Sequence, residues 1–159
     1  ILQPIASRMI MKVLWAARLA RPDLLRPVSY LATFVTKWTP KQDRMLHRLM
    51  CYIYSSMDNK MVAWVGDTAD MITPHLFADA DFAGRVLTQH SNSGAHLALR
   101  GPNASIPFTD LSKRQGCMSH STFEAELASM DHALRFIGLP GMLIWDVLLP
   151  KRHALSLPR

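Results

Sequence analysis

At 159 residues and 49% hydrophobic content, the chain has enough apolar material for a folded core and is too apolar for native disorder. A formal net charge of +6 favours an acidic partner such as nucleic acid or a membrane surface, although an ordinary basic domain can carry the same balance. No apolar run reaches the roughly 18 residues of a membrane span, and Cys51 and Cys117 are too far apart for a Cys-x-x-Cys motif, so neither a zinc knuckle nor a disulfide framework is indicated.

The chain opens on Ile rather than Met, as an excised fragment would. Residues 1–22 carry Arg8, Lys12, Arg18 and Arg21 and no acid, which fits a basic amphipathic helix and is also shared by transit peptides. Residues 6–19 are rich in helix formers, and Pro22, with no amide hydrogen, ends or kinks that helix. A second helical piece is expected over residues 28–35. Thr39-Pro40-Lys41-Gln42 then supplies a cap residue, a first-turn proline and a capping-box glutamine, so a third helix starts there. Within it Met45, Leu46, Leu49, Met50 and Ile53 form one face, and Lys41, Arg44 and Arg48 another. The basic face could follow a phosphate backbone, although a solvated surface opposite a core stripe is the more common outcome for such a face.

Residues 55–60 read as a polar turn and residues 61–65 as a short strand closed by Gly66-Asp67. Three further strands are expected over residues 74–82, 94–100 and 106–115. Gly101-Pro102-Asn103 turns between the last two and makes them antiparallel. Pro107 requires an edge or a strand start. Ser121 opens a fourth helix, where the Glu124 carboxylate can return a bond to the Ser121 amide. Phe123, Leu127, Met130, Leu134 and Ile137 make its expected buried stripe, flanked by Glu126. Gly138 and Pro140 should terminate it, with a short apolar segment over residues 142–149 to follow, stopped by Pro150.

Acidic residues in an apolar strand lose hydration and call for a cation or a donor, so the run Phe77-Ala78-Asp79-Ala80-Asp81-Phe82-Ala83-Gly84 is the chemical focus of the chain. A strand carboxylate and another on a following helix can share a divalent metal, the chemistry of a metal-dependent nuclease. Asp79 and Asp81 project from one strand face, with Asp81 either an outer partner of a metal site or a solvated edge acid. No Gly-rich phosphate loop, His-Glu-x-x-His or Gly-x-Ser-x-Gly elbow is present. Ser119, His120 and Ser121 resemble a hydrolase dyad in composition alone.

Ala78-Asp79-Ala80-Asp81-Phe82-Ala83-Gly84, then Ser93-Gly94-Ala95, then Leu111-Ser112-Lys113-Arg114-Gln115, then Ser121-Thr122-Phe123-Glu124-Ala125-Glu126 together resemble the ribonuclease H region of a copia-type retrotransposon polyprotein. The likeness covers roughly residues 60–137. Ala20-Arg21-Pro22-Asp23-Leu24-Leu25 and Arg48-Leu49-Met50-Cys51-Tyr52 are similar to the segment joining the reverse transcriptase to that domain. The resemblance implies a mixed α/β (α+β) fold, ribonuclease H-like but incomplete, with antiparallel strands followed by a carboxylate-bearing helix and preceded by a helical N-terminal segment. It divides the chain into a helical connection over 1–59, a partial ribonuclease H-like domain over 60–150 and a basic tail over 151–159.

The resemblance further implies that Asp79 and Glu126 are catalytic metal ligands for Mg2+ or Mn2+. Two such ions about 4 Å apart would activate a water against the RNA strand of an RNA–DNA hybrid. Lys113 and Arg114, with Lys41, Arg44 and Arg48, are candidate backbone contacts. The reverse transcriptase portion of the same polyprotein is an expected partner and a membrane is not. The protein is expected to be intracellular and not secreted. The family's next strand carries a third aspartate, whereas residues 150–159 contain no acid, so cleavage is expected to be impaired and the chain reads as C-terminally truncated. Without that strand, a sheet edge and an apolar face should lie open. The alternative is a non-catalytic relic that at most binds nucleic acid through basic contacts.

Overall fold

Chain-local signals set most of the helices. In the computed structural model, which describes residues 2–84 and 88–148, α1 spans Gln3–Leu19 and stops before Pro22, whose turn Pro22–Leu24 leads into α2, Leu25–Ala32. The second helix thus starts and ends about one turn earlier than expected. A further turn, Val35–Lys37, precedes α3, Pro40–Ser55. The capping box forms: the Thr39 amide donates to Gln42 Oε1 at 3.1 Å, and Thr39 Oγ1 accepts from the Lys41 amide at 3.3 Å.

The chain divides into two units, Ile1–Met61 and Val62–Arg159. In the first, Ala6, Ile10, Val28, Leu31 and Leu46 are almost fully enclosed and form the core. Leu46 and Leu49 supply the α3 contribution, and Met45 and Ile53 pack partly against it. Arg21 ties the helix ends together. Its guanidinium grips both Asp23 carboxylate oxygens at 2.9 and 2.8 Å and donates to the Ser56 carbonyl at 2.9 Å. Tyr52 adds a hydroxyl bond to Asp23 at 3.0 Å. The Arg21 fork, with help from Tyr52, holds the Asp23 carboxyl below the usual carboxylate range.

The second unit is mixed α/β, with a three-stranded antiparallel sheet in the order β1-β2-β3. These strands are Thr73–Asp81, Asn92–Arg100 and Ser105–Arg114. The segment over residues 61–65 forms no regular strand; it contributes the isolated bridge Trp64 to Ser105. Pro107 lies in the edge strand β3, beside a register shift opposite Leu97 and Ala98, so its missing amide hydrogen interrupts the ladder where it is already irregular. The β2–β3 turn is closed by bonds between Gly101 and Ala104, and the Asp67 carboxylate accepts from the Asn103 amide at 2.6 Å.

Helix α4, Thr122–Ala133, crosses the sheet, followed by a π turn, Leu134–Gly138, and α5, Leu139–Leu148. Two expectations are corrected here. The buried residues of α4 are Ala125, Ser129 and Ala133, whereas Phe123, Leu127, Met130 and Leu134 are exposed; of the expected stripe, Ile137 is buried. Small side chains let the helix lie close on the sheet, which turns the large ones outward. Nor do Gly138 and Pro140 stop the chain's helicity. Pro140 stands in the first turn of α5, where a missing amide hydrogen is harmless. Both glycines serve close approach: a Cβ on Gly138 would lie 3.0 Å from Leu76 Cδ2, and one on Gly141 2.5 Å from Leu97 Cδ2. The basic tail over 151–159 lies outside the described residues.

Candidate functional site

Strand alternation fixes which β1 residues meet the helices. Leu76 and Ala78 pack with Ala95, Leu97 and Leu111 against Ala133 and Ile137. The alternate row is therefore His75, Phe77, Asp79 and Asp81. Across that row the register sets Asp79 opposite Gly94, Phe77 opposite His96 and Asp81 opposite Asn92. Asp79 is exposed, and Glu126 on α4 is half-buried.

What holds the glutamate's helix over the acidic strand is a set of buried polar bonds. Ser129, fully enclosed and one turn beyond Glu126, donates to the Asp79 carbonyl at 2.6 Å. Gln115, at the end of β3, donates through Nε2 to the Ala125 carbonyl at 2.8 Å and to Ser93 Oγ at 3.1 Å. Its Oε1 accepts from Ser119 at 3.2 Å. These bonds satisfy groups that burial would otherwise penalise and fix α4 across β1 and β2. Sequence reading missed Ser129. The available signal was its place between Ala125 and Ala133, at a spacing of four on one helix face.

Asp81 is not a bare solvated acid: it is half-buried, and Oδ1 accepts from the Asn92 amide. A Cβ on Gly84 would lie 2.5 Å from Asp81 Oδ2, so that glycine leaves room for the carboxylate. Ser121 caps α4 as expected, accepting from the Glu124 amide at 3.1 Å. The Glu124 carboxylate reaches one residue further back than expected, to the His120 amide at 2.7 Å.

The basic candidates are dispersed. Lys113 and Arg114 are both exposed but alternate across the sheet. Lys113 lies on the helix side, with Nζ 5.1 Å from the centre of the Phe136 ring, and Arg114 falls in the row of Asn92 and Asp81. In the first unit, Lys41, Arg44 and Arg48 stand exposed along α3.

A two-ion Mg2+ or Mn2+ centre needs several convergent oxygen donors. Among the described residues no three acidic, His or Cys side chains come together to hold an ion. Asp79 and Glu126 alone do not supply the donors of such a centre.

No protein-family model matches the chain, and no solved structure matches it. It is similar to Secreted RxLR effector protein 161 of Plasmopara viticola, 27% identical over 121 residues that cover 76% of this chain and 80% of that protein. This likeness corrects the expectation of an intracellular protein that is not secreted, because the matching protein is named as a secreted one. Cys51 and Cys117 are free and exposed, a state that does not fix the compartment. Among the described residues, no helix is long and apolar enough to cross a membrane.

Proposed function

We propose that this chain is a ribonuclease H-like domain related to copia-type retrotransposon polyproteins, acting as a nucleic-acid-binding relic rather than an efficient nuclease. The observation that carries the reading is the Ser129 bond to the Asp79 carbonyl, which seats a carboxylate-bearing helix on the acidic strand in the expected order of elements. The donor set argues against two-metal hydrolysis, so no cleavage step is assigned to these residues. Binding would run through phosphate contacts from Lys41, Arg44 and Arg48 on the first unit, or from Lys113 or Arg114 on the second, with an RNA–DNA hybrid as the substrate class. Any residual Mg2+- or Mn2+-dependent cleavage would depend on Asp79 and Glu126. A reverse transcriptase portion of the same polyprotein is the corresponding partner.

The test is incubation of the folded chain with a labelled hybrid and Mg2+ or Mn2+, beside Asp79→Asn and Glu126→Gln. Salt-sensitive binding without cleavage is the expected result. Cleavage lost in both variants would overturn the relic reading and restore the nuclease. The match to a secreted effector favours a second reading, in which the fold serves as a secreted effector-like protein. Absence of any nucleic-acid binding, with recovery of the expressed protein outside the producing cell, would support that reading over the first.

A further inference from the structure

The sheet has two edges, and they are built differently. Edge strand β3 carries Pro107, a register shift and the terminal cations Lys113 and Arg114, all of which discourage pairing with another strand. Edge strand β1 pairs with β2 in unbroken register along its whole length; its proline, Pro74, stands near its start, and its charged residues are Asp79 and Asp81. Beside β1, Leu76, Ala78, Leu127, Met130 and Leu134 line an open cleft of about 650 Å3. Leu127 and Met130 on α4 and Leu134 in the π turn after it are 49%, 57% and 51% exposed. An unpaired strand next to an apolar helix face is a template for strand addition.

We propose that a second copy of this chain occupies the β1 edge, the two β1 strands pairing antiparallel about a dyad at Phe77 to give a continuous six-stranded sheet. Self-complementarity of charge selects this occupant and this register. The dyad sets His75 opposite Asp79 of the second copy, twice, and Leu76 opposite Ala78 in the row facing the helices. A ring N–H of His75 can donate to the facing carboxylate in either protonation state. Within one copy Gly94 stands opposite Asp79 and Ala98 opposite His75 across the ladder, and the polar contact of His75 is along its own strand, Nε2 to Thr73 Oγ1 at 3.1 Å. A shift of the dyad to Asp79 would instead bring two carboxylates face to face, which disfavours it. Both α4 helices then lie on the same side of the joined sheet, with Leu127, Met130 and Leu134 of each closing the cleft of the other. The pairing does not depend on the proposed function.

Sedimentation of the full chain across a concentration series tests the proposal, with circular dichroism to verify folding. A dimer is expected. Phe77→Lys, at an exposed site, should yield a folded monomer by setting like charges at the dyad. His75→Asp should weaken dimerisation on the order of tenfold, because the repulsive pair occurs twice, and the double variant His75→Asp with Asp79→His should restore it. Hydrogen exchange gives a reading independent of substitution: β1 amides gain protection with concentration, and β3 amides do not. A wild-type monomer, a dimer that survives Phe77→Lys, a charge swap no better than the single change, or protection gained at β3 would each overturn the proposal.

Discussion

His132 stacks on Phe136 with ring centres 4.3 Å apart, and both its ring nitrogens are buried without a hydrogen-bond partner among the described residues. Burial, and then the nearby Lys113 ammonium, push its pKa below the ordinary 6.5, while Asp131 opposes them. As the pH falls through 6.5 the unfolded chain takes up a proton that the folded chain resists, so the unfolded state binds more protons. Stability from this residue is therefore intact above that pH and declines towards the lower, folded pKa. Thermal melts of His132→Phe should show a shallower loss of melting temperature on mild acidification than wild type. Parallel pH profiles would contradict this assignment. Asp23 works in the same direction at lower pH, because its Arg21-depressed carboxyl contributes stability above the ordinary 3.8 that is lost on acidification.

At the scale of elements, the contact that matters most is α4 on the sheet. Ala125, Ser129 and Ala133 are 0%, 0% and 1% exposed, leaving no room for larger side chains. Ala133→Leu should lower stability by about 1–3 kcal/mol through overpacking. Phe123→Ala, at a residue 72% exposed, should change it by no more than about 0.5 kcal/mol. Denaturant midpoints measure both, and a reversed order would mean that the large apolar face is the buried one after all. Three of the four expected strands were legible, with observed ends within one or two residues of those expected, because alternation, Gly101-Pro102-Asn103 and Pro107 act over a few residues; the one expected over residues 61–65 is only an isolated bridge. The buried face of α4 was not. Phe123, Leu127, Met130 and Leu134 satisfy helical periodicity as well as the small stripe does, and periodicity cannot say which of two apolar stripes has a sheet to meet.

For the molecule as a whole, each unit has its own apolar core, one around Ile10, Val28 and Leu46 and one around Leu97 and Ile137. The net charge of +6 resides in the first unit, which carries ten Lys and Arg against three Asp, whereas the second carries eight against nine acids. The proposed nucleic-acid binding would be governed by counterion release. Replacing Lys41, Arg44 and Arg48 together by Gln should reduce the slope of log affinity against log salt by about three, uniformly across sequences. An unchanged slope in fluorescence anisotropy titrations would remove the α3 face from the interface. Capping boxes, turn residues, the acidic strand and the overall charge were determined by the sequence alone, because each is an interaction between near neighbours or a simple sum. Only the tertiary structure decided that α4 rests on small residues, that Asp81 serves a backbone amide, that Lys113 and Arg114 part to opposite faces and that β1 is an edge strand among the described residues. Each of these depends on what the chain finds across the sheet, and no local pattern carries that information.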